Sequence, residues 1–340
     1  MKAAITDGTG NLRITDISSP TIKDNKGALI RVAGCGLCGS DIVKIKRGLA
    51  PEGSILGHEV VGIITEIGTS SQTSLIPGDK VAVAHHIPCM KCRYCLQKSY
   101  SMCETFKMTN FVPGGFAETI YISDLHLKQT TIKVPLQLSD VSASAMEPVA
   151  CILRALEKAN VTSGQNVFVI GLGYIGLLFT QALKMIGTKV VACDLIEERL
   201  TLALKYGADF AFSPLATQDP TQIISKQFKF KGADTVILAS GATASVDLAL
   251  NTVRDGGTIC VFASIPDNNM GFFNNALYYR ELSVIGAYSS APAYLLQAMN
   301  LLANETIIVD EFYDILPLED INTAINSTTS HKSIKVYLKI

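Results

Sequence analysis

Tryptophan is absent from this chain of 340 residues, aromatic residues make up only 7%, and charged residues only 17%, with a formal net charge of −1. Charge this sparse and balanced forms no basic stripe that could follow a phosphate backbone, so a nucleic-acid partner is not expected. There is no acidic or basic tail. No apolar run reaches the roughly 18 residues that a membrane-crossing helix needs. The opening MKAAITDGTGNLRITDI lacks the apolar core of a signal peptide and reads as strand, Gly-rich turn and strand. Internal repeats and low-complexity segments are also missing. These absences leave a soluble cytoplasmic protein as the expectation. In that compartment nine cysteines favour metal ligation over disulfides.

What is abundant is apolar residue, at 48%, enough for large cores, and the length suggests two domains. Residues 1 to about 135 carry short β-type runs (GALIRVAGCG, EVVGIITEIG, DKVAVAHH, FAETIYIS) divided by Gly and Pro turns. Near residue 140 the pattern changes. LSDVSASAMEPVACILRALEKA has helical spacing, with Ser139-Asp140 as its start. Strands then alternate with helices: NVFVI, KVVAC, DTVILAS and GGTICVFAS are the strands. Continuous apolar strands of this kind predict a parallel sheet covered on both faces. The final HKSIKVYLKI is strand-like and is free to pack back on the first part.

Cys89, Cys92, Cys95 and Cys103 form C-x2-C-x2-C-x7-C within fifteen residues. Four soft thiolates so close suit a tetrahedral zinc, and two-residue spacings strain paired disulfides. Such a site is closed and structural.

Gly171-Leu-Gly173-Tyr174-Ile175-Gly176 lies between a strand and a helix, the context that a dinucleotide fingerprint requires. Gly171 makes the tight turn, Gly173 admits a pyrophosphate, and Gly176 lets helix and strand approach. Asp194, at the end of the second strand, suits the adenosine ribose hydroxyls and repels a 2′-phosphate, favouring NAD over NADP. Arg199, one helical turn on, softens that preference.

Three scattered segments hold further metal-ligand types: Cys38 in GCGLCGSD, His58-Glu59 in ILGHEVVG, and Glu147 in SAMEPVAC. Singly, Cys38 reads as a small buried residue, His58 as a core imidazole and Glu147 as a helix-start carboxylate. Together, thiolate, imidazole and carboxylate make the mixed set typical of a catalytic zinc with an open position. Ser40 stands beside Cys38 as a proton carrier or, more plainly, a turn serine.

These motifs, with PGDKVAV and GGFAE, occur in an order that resembles the zinc-dependent medium-chain alcohol/polyol dehydrogenases over essentially the whole chain. The resemblance implies an α/β Rossmann domain at 151–289. It also implies a GroES-like β-rich catalytic domain at 1–150, completed by 290–340, with an active site in the cleft. It further implies two zincs per chain, NAD, a small-molecule alcohol substrate, and homodimers or homotetramers built through the Rossmann sheet edge. Cys38 and His58 become catalytic zinc ligands, with Glu59 or Glu147 as the acidic ligand, and Ser40 becomes the proton relay. Gly39 stands where some members carry a basic pyrophosphate-binding residue. His86 matches a position that lines the active site of threonine dehydrogenases. Ser289-Ser290 replace the Arg-Tyr that sorbitol dehydrogenases tend to carry. The expected activity is reversible NAD-linked oxidation of a polyol-like secondary alcohol to a ketone. L-threonine 3-dehydrogenase-like activity and an inactive zinc/NAD-binding sensor or scaffold are the alternatives.

Overall fold

The computed structural model describes residues 1–216, 219–265 and 275–340. Its contacts divide the chain into two units, Met1–Ala150 with Ser290–Ile340, and Cys151–Ser289.

The first unit is built on a seven-stranded sheet. Along its main path the order is Tyr313–Pro317, Lys335–Lys339, Ala28–Gly36, Glu59–Ile67, Lys80–Val83 and Thr131–Lys133, and Thr119–Ile122 also pairs with Ala28–Gly36. The C-terminal strand therefore lies beside Ala28–Gly36, antiparallel, with Tyr337 opposite Gly36. Glu59 lies opposite Gly36 from the other side. The interior of this sheet is filled by Ile30, Val32, Ile64, Val81, Phe116 and Ile120, all fully buried. Period-two alternation with one face inward is the reason these short runs form strands here.

The second unit holds a six-stranded sheet in the order Phe210–Phe212, Lys189–Cys193, Asn166–Ile170, Ala233–Leu238, Val253–Val261, Ser283–Gly286. Every pairing in it is parallel. Counted along this unit, the spatial order is 3-2-1-4-5-6, the doubly wound dinucleotide-binding arrangement. Its reversal point falls between Asn166–Ile170 and Ala233–Leu238, where ligands bind in such sheets. Both strands are apolar and buried, Val167, Phe168 and Val169 completely so.

One local expectation needs correction. The 140–158 segment is not a single helix but two, Asp140–Ser144 and Met146–Lys158. Ser139 does cap the first, accepting from the Ser142 N–H at 2.9 Å. Pro148 explains the break. It has no N–H to give the Ser144 carbonyl four residues back, and its ring crowds that carbonyl.

Candidate active site

In the first unit, Cys38 ends a turn after strand Ala28–Gly36 and caps helix Gly39–Lys46, while His58 and Glu59 open strand Glu59–Ile67. The ligand atoms of Cys38, His58 and Glu59 all lie within 4.8 Å of one another. His58 and Glu59 are buried and Cys38 is partly exposed. Glu147, buried at the start of helix Met146–Lys158, is not among the grouped residues. Ser40 is exposed, and its hydroxyl donates to Cys38 Sγ at 3.3 Å.

Two residues without a local sequence signal as ligand supports complete the cluster. Asp41 Oδ2 lies 3.3 Å from His58 Nδ1, which leaves Nε2 as the nitrogen to offer a cation. Burial disfavours a charged His58, yet Asp41 and Cys38 together hold its pKa well above the ordinary value. Lys335 Nζ donates to Glu59 Oε1 at 2.7 Å, and both side chains are almost completely buried. Glu59 Oε2 is buried with no hydrogen-bond partner among the described residues.

This donor set fits zinc. A Cys38 thiolate with Asp41 and Glu59 contributes three negative charges, and Lys335 contributes one positive. The remaining two negative charges match one divalent cation beside a neutral imidazole, and the orphaned Glu59 oxygen is an acceptor awaiting a partner.

His86, expected at the same site, lies one ring further from His58, its centroid 3.8 Å from that of His85. Its Nδ1 bonds to the Thr109 carbonyl at 2.6 Å, and its ring packs on Phe106 at 4.7 Å. Burial pushes its pKa down to about 4. The histidine that stacks beside His58 is its neighbour His85, with ring centroids 4.6 Å apart. The strand-end pair HH carried that signal, but the sequence does not say which ring faces which way.

The cysteine quartet closes its own lobe. Cys92 Sγ and Cys89 Sγ lie 3.6 and 4.0 Å from Cys95 Sγ. A tetrahedron with Zn–S of about 2.3 Å has S···S edges of about 3.8 Å, so the pocket is sized for zinc. Backbone N–H groups of Cys89 and Cys92 donate to Cys103 Sγ and Cys89 Sγ, each at 3.3 Å. Burial pushes the Cys103 thiol up, but N–H groups of Cys89 and Phe106 outweigh it and bring the pKa down to about 6. Apart from the sulfurs, the lobe's core is only Phe106 and Tyr100. The other four cysteines, Cys35, Cys151, Cys193 and Cys260, are buried.

In the second unit, Gly171 follows strand Asn166–Ile170 with φ of 91°, a left-handed conformation that favours glycine. Gly173 caps helix Tyr174–Ile186 without a side-chain hydrogen bond. Among the described residues, a β-carbon at Gly173 would meet nothing within 4 Å, which leaves the space in front of the helix open to a ligand. Tyr174 and Ile175 make the first turn, at the positive end of the helix dipole, which favours an anion. Asp194 Oδ2 accepts from Leu172 N at 2.6 Å and Oδ1 from Ile196 N at 3.0 Å, fixing the carboxylate beside the glycine turn. Arg199 Nη1 is 3.8 Å from Asp194 Oδ2. An open glycine cradle with a carboxylate at the second strand end fits a dinucleotide.

Comparison with known proteins agrees with this geometry. A model of the alcohol dehydrogenase GroES-like domain matches residues 24–135, and one described as zinc-binding dehydrogenase matches residues 175–304. The chain is 31% identical to D-xylulose reductase A of Aspergillus oryzae, over 98% of this chain and 95% of that protein. Among solved structures, alcohol dehydrogenase TADH from Thermus sp. ATN1 superposes with a TM-score of 0.88 at 27% identity, covering 100% of this chain and 99% of that one. Galactitol-1-phosphate dehydrogenase from Escherichia coli gives 0.86 at 26% identity, covering 100% of both chains.

Proposed function

The chain belongs to the zinc-dependent medium-chain alcohol/polyol dehydrogenase family, and from that premise we propose that it oxidises a secondary alcohol of a small polyol to a ketone, reversibly and with NAD. The curated relative is named for a pentulose and a solved relative for a hexitol phosphate, which supports a polyol or sugar-alcohol substrate.

The observation that carries this reading is the convergence of Cys38, His58 and Glu59 beside an exposed serine hydroxyl. Zinc held there would supply the charge that acidifies an alcohol, and NAD would accept the hydride. The chain's own residues do the rest. Cys38, His58 and Glu59 would hold the cation as three protein ligands, the number typical of a catalytic zinc open to substrate. Asp41 fixes the His58 tautomer. Ser40, hydrogen-bonded to Cys38 and open to solvent, carries the hydroxyl proton outward. Gly173 and the first turn of helix Tyr174–Ile186 would bind the pyrophosphate, with Gly171 making the turn and Gly176 letting helix and strand approach, and Asp194 would bind the adenosine ribose. Glu147 would ligate the zinc in place of Glu59 or hold its water, and Arg199, 3.8 Å from Asp194, would soften the preference for NAD.

The quartet is read as a structural zinc, giving two zincs per chain. The exposed edge strand Ser283–Gly286 supports assembly into a homodimer or homotetramer. A reducing, cytoplasmic setting suits nine cysteines that form no disulfide. Among the described residues no helix is long and apolar enough to cross a membrane.

The test combines two variants with a substrate panel. Cys38→Ala and His58→Ala should each abolish NAD reduction with polyols, sugar phosphates, butanediol and threonine alike, while the protein still binds NAD. Turnover by either variant at near wild-type rate would end the assignment. A wild-type preference for threonine would overturn the polyol class.

A further inference from the structure

Lys335 and Glu59 are 276 positions apart in sequence, yet they form a buried ion pair at 2.7 Å. Lys335 begins the C-terminal strand, and Glu59 begins the strand on the far side of Ala28–Gly36. The carboxylate reaches across because Gly36, between them, has no side chain. A β-carbon there would lie 1.9 Å from Glu59 Oε2. Gly36 thus holds open the space that the carboxylate occupies.

The electrostatics of this arrangement are specific. Asp41 and Glu59 are each 1% exposed, so their charges have little access to water. An uncompensated buried carboxylate is strongly destabilising. Glu59 has one oxygen on Lys335 and the other without a hydrogen-bond partner among the described residues.

We infer that Lys335 is a stand-in cation and a positioning residue: it holds Glu59 in place and balances its charge when no metal is bound, so that the site persists empty and ready to load. It would share Glu59 with the metal. Removing it takes away the ammonium that answers Glu59, so a bound metal must then do more of the compensation. The metal-free form then loses more stability than the loaded form. By linkage, the empty site must bind metal more tightly in the variant. A lysine that merely fills space would lower both forms equally.

This inference rests on the reading that Cys38, His58 and Glu59 hold a divalent cation, and the test separates the two. Full-length wild type, Lys335→Met and Lys335→Arg are dialysed against dipicolinate until one zinc per chain remains, in the quartet. Thermal melting is followed with and without added zinc, and zinc affinity of the open site is measured by chelator competition. In Lys335→Met the gap between stripped and loaded melting temperatures should widen by about 4 °C or more, with zinc binding about tenfold tighter. Lys335→Arg should restore the wild-type gap. In a Glu59→Gln background, Lys335→Met should no longer change the gap. If Lys335→Met does not accumulate, Lys335→Gln, which keeps a donor without the charge, takes its place. Equal loss in both forms, or weaker zinc binding, overturns the inference. No zinc-dependent gap in wild type overturns the metal-site reading instead.

Discussion

A β-carbon placed on Gly176 would sit 1.9 Å from the carbonyl oxygen of Gly171, so the first turn of helix Tyr174–Ile186 rests directly on the strand-end turn. Gly173, between them, would meet nothing within 4 Å among the described residues. Two glycines of one motif therefore have different reasons to be glycine, one facing protein and the other facing open space.

This difference is measurable. Gly176→Ala should push helix and strand apart, lowering the melting temperature by several degrees and weakening NAD binding. Gly173→Ala should leave the melting temperature within about 1 °C and still weaken NAD binding at least tenfold, because the methyl group enters the pyrophosphate space. Titration calorimetry and melting curves on both variants decide it. Wild-type NAD affinity in Gly173→Ala would remove the pyrophosphate from this cradle.

Asp194 is anchored by two backbone N–H groups, at 2.6 and 3.0 Å, so its carboxylate cannot swing aside for a 2′-phosphate. We expect kcat/KM at least tenfold higher with NAD than with NADP, measured at equal alcohol concentration. Equal values for the two cofactors would sink the role given to Asp194.

The cysteine lobe has almost no apolar core of its own beyond Phe106 and Tyr100, so its order depends on the metal. Cys92→Ser should release one zinc per chain and lower stability or assembly first. In the molecules that remain folded and keep the other zinc, kcat should stay within about twofold. A stable Cys92→Ser protein that retains two zincs but has lost kcat selectively would show that the lobe takes part in chemistry.

His126 offers a test in pH. Its Nε2–H donates to the His85 carbonyl at 2.9 Å, and its Nδ1 accepts from Ser123 N at 3.2 Å, so both nitrogens are used by a neutral ring. Burial pushes its pKa down to about 4, against an unfolded value of about 6.5. Between these values the unfolded chain binds the proton and the fold does not. Stability is therefore complete above about pH 6.5 and falls as pH drops toward 4, by on the order of 3 kcal/mol for this residue. His126→Gln should start less stable at pH 7 and show a shallower decline on acidification. Melting curves that stay parallel to wild type from pH 7 to 4 would refute this.

Much of the site was legible in short runs of sequence. The quartet, the glycine turn with its flanking strand and helix, and the Cys38 and His58 motifs depend on residues a few positions apart, whose geometry covalent spacing largely sets. Asp41 was within reach of the same reading. It lies three residues after Cys38, a helical turn away, but only its pairing with His58 gives it a role. The broken helix at 140–158 was also written locally, in Pro148. Lys335 and the orientation of the two adjacent histidines were not. His85 faces His58, while His86 is held by Thr109, a distinction that alternation along a strand leaves open once the strand ends at Val83.

The sequence by itself determined the two sheet types, the dinucleotide turn and the donor atoms available to metal, because each follows from periodicity or from neighbours along the chain. Tertiary structure alone decided which carboxylate lies within 4.8 Å of Cys38 and His58, and which ammonium pairs with it. Both depend on sheet register, which brings the first residue of the last strand to a glutamate 276 positions earlier. Burial then makes that meeting matter: away from water, a charge must be answered by whatever group the fold places beside it.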